Sequence, residues 1–200
     1  MSQEYKSKAR LIDNISNIEQ YRPILEKDNF QVDEPHWRRI SKNAITLFQV
    51  LIDQDLTDLV NILKHYPKYT EWVCEHFRYA YSYSENYADI NAASELLFMG
   101  EPYFSKQFVR NVVRKLPKID SMNYDELTKL NTLIAKEHSN WHPIVSNYFL
   151  KGVSKNIEKL NLHPLQKIAL KKPILHIEYK DTYKYDAQDR DAFLDIPYMN

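Results

Sequence analysis

The residues most able to do chemistry are few and scattered. His138 and His142 stand four apart in "HSNWHP", a spacing that would aim two imidazoles at one metal ion if a single helix carried both. Pro143 and the turn residues Ser139 and Asn140 break such a helix, so the pair is expected in a connection, exposed or capping. Glu71, Glu75 and His76 form a second polar cluster, expected to be the solvated face of a helix. Cys74 is the single cysteine, which leaves no internal disulfide and no multi-cysteine zinc site. It lies among apolar positions and is expected in the core, away from any role as nucleophile. With 2 glycines, Gly100 and Gly152, far apart, the chain has no phosphate-binding loop. No HExxH motif occurs. The expectation is a protein without catalytic residues, cofactor or metal ligands.

One charged pattern remains. Lys106, Arg110 and Arg114 recur every four residues, continued by Lys115 and Lys118, while Phe108, Val109, Val112 and Val113 fall on the opposite side of the same helix. A solvated face, a dock for an acidic protein segment and a phosphate-binding face for RNA are three readings of it. Charge is uneven along the chain although the total is zero. Residues 1–104 hold 11 Lys/Arg and 16 Asp/Glu, residues 105–172 hold 13 and 5, and residues 173–200 hold 3 and 6. Such asymmetry suits an electrostatic partner.

The elements that would carry these groups are helices. Low glycine content with Leu, Ile, Lys and Glu throughout favours them. In "DEPHWRRISKNAITLFQVLI", Asp33 offers an N-cap and Pro35 a first-turn residue, and Trp37, Ile40, Ala44, Leu47, Phe48 and Leu51 make one apolar face. Leu56, Leu59, Ile62 and Leu63 line the next helix, and another opens on Pro67. At an offset of 71 residues, Leu56, Thr57, Leu59, Ile62, Val73 and Phe77 meet Leu127, Thr128, Leu130, Leu133, Ile144 and Tyr148. Helix–turn–helix units beginning at Asp55, Asp89 and Asp125 are thus 34 and 36 residues apart, the size of an α-hairpin repeat. The tyrosines of "RYAYSYSENY", residues 78–87, alternate as in a strand, but their context places them at the last turn of one helix and its junction with the next.

The expected fold is all-α: a stacked α-hairpin, helical-repeat-like body over 1–172, with units near 55–82, 89–115 and 125–156, and an extended, mostly non-helical tail over 173–200. In the tail, Leu175, Ile177 and Tyr179 alternate with polar residues, a short strand signal. Phe193, Leu194, Ile196 and Tyr198, set among acids, read as an anchor that docks on a partner. The apolar stretches are too short to cross a bilayer, and the first residues carry no clear cleavable presequence.

The patterns "DLTDLVNILKHY" and "DELTKLNTLIAK", with their shared Leu-Thr-x-Leu, resemble the helical repeats of FAST-kinase-like and octotricopeptide-type organellar proteins over roughly residues 55–155. That resemblance implies RNA metabolism in mitochondria or plastids. The chain has no counterpart of the nuclease-like domain of full-length relatives and is shorter than a long RNA-reading solenoid. The expected role is therefore a scaffold subunit of a larger, mitochondrial or else cytoplasmic, protein assembly. Its candidate contacts are Lys106, Arg110, Arg114, Lys118, Leu175, Ile177, Tyr179, Phe193, Leu194, Ile196 and Tyr198. The alternative is an RNA-binding helical-repeat factor.

Overall fold

The computed structural model describes residues 18–27, 40–54, 56–77 and 89–177. Every regular element among them is helical: α1 (Arg22–Leu25), α2 (Lys42–Gln54), α3 (Leu56–His65), α4 (Thr70–His76), α5 (Ile90–Gly100), α6 (Lys106–Arg114), α7 (Tyr124–Glu137), α8 (Pro143–Lys159) and α9 (Pro164–Lys171). Short 3-10 turns at Pro67–Tyr69, Glu101–Tyr103 and Lys172–Ile174 abut α4, α5 and α9. The chain is all-α over the described residues.

Local chemistry sets the helix starts. Asp89 accepts from the Ala92 amide at 3.0 Å and Ser105 from the Phe108 amide at 3.1 Å, opening α5 and α6. Asn123 and Glu126 form a reciprocal capping box at α7, two residues before the start expected at Asp125. Two starts or stops differ from expectation. The helix expected from Asp33 begins at Lys42 in the described part, because Ser41 Oγ takes the Ala44 amide at 3.1 Å and caps it there. Ile40 lies in a bend before it; Asp33, Pro35 and Trp37 lie outside the described residues. Helix α4 stops at His76, where Phe77 leaves helical geometry (φ −69°, ψ 60°). Its carbonyl is taken by Asn111 Nδ2 of α6 and its ring packs edge-on to Phe108 at 5.6 Å. The tyrosines of residues 78–87 lie outside the described residues.

One core runs from Leu25 to Ile174. Helix α5 packs against α3, α4, α6 and α8, while α9 and its 3-10 turn pack on α7 and α8. The offset pairs mostly share burial: Leu56 with Leu127, Leu59 with Leu130, Val73 with Ile144 and Phe77 with Tyr148 are buried on both sides. Ile62 is buried and its counterpart Leu133 is 39% exposed, and Thr57 is buried while Thr128 is exposed, so those two pairs are not equivalent.

Buried asparagines tie helices to segments remote in the chain. On α6, Asn111 Nδ2 donates to the Phe77 carbonyl just after α4; on α8, Asn156 Nδ2 donates to the Ile119 carbonyl just after α6. These bonds span 34 and 37 residues, so each reaches from a helix back to the chain that leaves an earlier one. Asn156 also reaches the Met122 carbonyl at 3.4 Å. Asn156→Ala would strand the buried Ile119 carbonyl, and the cost of an unmet hydrogen bond is about 1–3 kcal/mol. Denaturant unfolding should register that loss. A shift no larger than about 0.5 kcal/mol, typical of a surface change, would mean the clamp is dispensable.

Candidate functional site

Helix α6 is built as expected on both faces. Phe108, Val109, Val112 and Val113 are buried, while Lys106 and Arg114 are exposed and Arg110 is half-buried. Lys118, in the following turn, is exposed. Arg110, Arg114 and Lys118 make no ion pair within the described residues. Lys115 departs from this face. Its Nζ donates to the Asp53 backbone carbonyl at 2.9 Å, answering an unpaired carbonyl in the last turn of α2. Burial lowers the Lys115 pKa, and the nearby Asp53 charge opposes the shift. Lys115 therefore joins two helices, and Lys106, Arg110, Arg114 and Lys118 are left as the outward cations of this segment.

The two histidines serve the turn between α7 and α8. His138 is the C-cap of α7, with Nδ1 2.9 Å from the Ile134 carbonyl. His142 is the N-cap of α8, its Nδ1 accepting from the Ile144 amide at 3.2 Å. An acceptor Nδ1 places the neutral ring's proton on Nε2, which lies 3.4 Å from Glu101 Oε1. Phe98 and Phe104 pack edge-on to the ring, and the His142 amide donates to Ser94 Oγ, fixing the corner of α5 against α8. Within the described residues no group of three His, Cys, Asp or Glu side chains could hold a metal ion.

Cys74 lies in the core, 2% exposed. Burial first, then the Glu75 and Glu71 charges, push its thiol up to about 12, so it stays protonated near neutral pH. His76 stacks on Trp72 at 4.4 Å and bonds the Trp72 carbonyl through Nδ1, while Glu75 is exposed.

At the C-terminal end the strand expected over Leu175, Ile177 and Tyr179 gives way, in its described part, to helical turn. Pro173 is the second residue of the 3-10 turn Lys172–Ile174, Leu175 is αR (φ −60°, ψ −29°), and the Ile177 amide closes onto the Ile174 carbonyl at 3.1 Å. At about 120° per residue a 3-10 turn sends these positions to different sides. Ile174 is buried, Leu175 is 71% exposed, and Ile177 packs partly on the core. The body thus continues past residue 172 to Ile177. Tyr179, Phe193, Leu194, Ile196 and Tyr198 lie outside the described residues.

A surface overlooked in the sequence lies beside Leu175. On α9, Leu165 is 68% and Ile168 60% exposed, while Leu170 alone of that helix is buried. Lys171 pairs with Glu158, whose carboxyl that hydrogen bond holds below its usual range; Lys167 donates to the Glu158 carbonyl at 3.1 Å. The signal was the three- and seven-residue spacing of Leu165, Ile168 and Leu175 in a short helix with lysines between them.

No helix within the described residues is long and apolar enough to cross a membrane. Compared with protein families, with curated proteins and with solved structures, the chain matches none.

Proposed function

We propose that this chain is a non-catalytic scaffold subunit of a larger multiprotein assembly, with the mitochondrion as its expected compartment. Its body is read as stacked α-hairpins that hold neighbours through helical surfaces and the C-terminal segment. The observation that carries this reading is the division of labour on α6. Four valine and phenylalanine side chains anchor the helix in the core, and Arg110, Arg114 and Lys118 stand outward without an acidic partner among the described residues. Support also comes from the polar groups that could have done chemistry. Cys74, His138 and His142 are each committed to packing or helix ends. The same basic face favours an alternative, RNA binding by a helical-repeat factor, because phosphates would meet the same cations.

Deleting residues 186–200 tests the scaffold reading. The expected result is an unchanged helical circular dichroism spectrum and loss of the chains that co-purify with the native protein. Unchanged co-purification of the truncated protein would refute the C-terminal anchor. Loss of the folded body would make that segment part of the core.

A further inference from the structure

Between α7 and the end of α9 lies a cavity of about 150 Å³. Tyr124, Thr128, Asn131 and Thr132 line it from α7, and their positions along the helix put them on one side of it. Ala169, Leu170 and Pro173 complete the lining. Thr128, Thr132 and Ala169 are exposed, so the cavity opens to solvent on their side, while Asn131 and Leu170 are buried.

One atom in this lining is unanswered. Asn131 is 1% exposed, and its Nδ2 donates to the Leu170 carbonyl at 2.6 Å. That bond fixes the amide, because a flipped side chain would set oxygen against oxygen. Oδ1 accepts no hydrogen bond among the described residues. Buried polar side-chain atoms nearly always have a partner, and an unmet one is costly. The neighbouring hydroxyls do not supply one. Thr128 Oγ1 donates to the Tyr124 carbonyl at 2.8 Å and Thr132 Oγ1 to the Thr128 carbonyl at 2.9 Å, so each has committed its proton. At these three oxygens the free positions are lone pairs.

Size, lining and polarity together define what suits the cavity. About 150 Å³ is the volume of an apolar protein cavity that takes up benzene, and it is below the roughly 300–1,000 Å³ of sites for drug-sized ligands. Water is small enough to enter, but each molecule needs about two to four polar partners. The side chains of Ala169, Leu170 and Pro173 offer it none. An anion would meet only lone pairs. A flat ring carrying an O–H or N–H group answers both sides, with its face on the apolar lining and its proton for the waiting acceptor.

We propose that the α7–α9 cavity binds a single aromatic ring of the phenol class, with the ring's hydrogen-bond donor directed to Asn131 Oδ1. The ring can come as a free phenolic molecule or as a tyrosine side chain offered by another chain, and the chemistry recognised is the same. The site is separate from the basic face of α6 and stands whether or not the chain is a scaffold.

Phenol titrated into the full chain tests the site, followed through the methyl NMR signals of Ala169 and Leu170. Saturable shifts are expected with a Kd of about 1 mM, ordinary for so small a ligand. Nuclear Overhauser contacts should join the ring protons to the Leu170 methyls, with the Val112 signals of the core unmoved. Toluene is the comparison ligand without a donor. Asn131→Leu should raise the phenol Kd, relative to that of toluene, by about fivefold or more, as loss of a bond to a buried acceptor implies. The ratio cancels the different solubilities of the two ligands in water. Because Asn131→Leu also removes the bond to the Leu170 carbonyl, Ala169→Trp provides a second variant at an exposed position. It should fill the cavity and abolish binding of both ligands while core methyl signals stay in place. N-acetyltyrosinamide separates the two sources. Binding with the same shifts assigns the site to a tyrosine of another chain, its exclusion assigns the site to a free molecule, and either agrees with the proposal. Absence of saturable shifts or ring contacts with phenol would overturn it. So would a phenol-to-toluene ratio unchanged by Asn131→Leu, or phenol shifts that survive Ala169→Trp.

Discussion

Phe108→Ala is expected to lower the unfolding free energy by about 3–5 kcal/mol, the range for truncating a buried aromatic residue. Phe108 is 1% exposed on α6, edge-on to Phe77 and 5.6 Å from the Phe104 ring. It also fills the space left by Gly100. A Cβ at Gly100 would stand 2.9 Å from Phe108 Cε1 and 3.0 Å from Cys74 Sγ, so α5 approaches α4 and α6 this closely only without a side chain. Gly100→Ala alone should therefore cost about 1–3 kcal/mol through overpacking. With Phe108→Ala in the same chain the added methyl enters the vacated space. The double variant should then be more stable than the sum of the two losses implies, as contacting residues generally couple. Denaturant unfolding of the four proteins measures this coupling. Strict additivity would show that Gly100 and Phe108 do not share that space.

The same junction shows what the sequence makes legible and what it hides. Apolar spacing exposes a helix whenever one face goes inward, so Leu56, Leu59, Ile62 and Leu63 mark α3 and the valines of α6 its buried side. Capping chemistry is nearly as local, and Asp89 and the break at Pro143 locate α5 and α8. Partners remote in the chain leave no such mark. Nothing near Lys115 says that its ammonium turns inward to the Asp53 carbonyl, 62 residues away. Nor does "FVRNVVRKL" announce that Asn111 takes the Phe77 carbonyl at the end of α4. The ridge on α9 was missed for another reason. Periodicity reports that Leu165 and Ile168 share a side with each other, while only packing decides whether that side or the one bearing Leu170 faces the core.

Lys106, Arg110 and Arg114, replaced together by alanine, separate the two readings of the basic face. The variant should fold as the wild type does, because Lys106 and Arg114 are exposed and the buried side of α6 is untouched. Lys115 is kept, since its bond to Asp53 belongs to the fold. On the scaffold reading, the variant loses an acidic neighbour in native purification, and raising salt weakens that neighbour's hold on the wild type. Contacts at such a surface act over about 8–10 Å at ordinary ionic strength, so the loss should already appear near physiological salt. On the RNA reading, each phosphate contact removed flattens the plot of log affinity against log salt by about 0.7 for a single strand. Three contacts would change the slope by about 2, or roughly 20-fold in affinity over a fourfold range of salt. The expected outcome is loss of the protein neighbour, with no wild-type RNA binding whose salt slope the substitutions alter. RNA binding with that change in slope would transfer the face to nucleic acid. Retention of every co-purifying chain, with RNA binding unaffected, would leave α6 a solvated face and remove the main support for docking there.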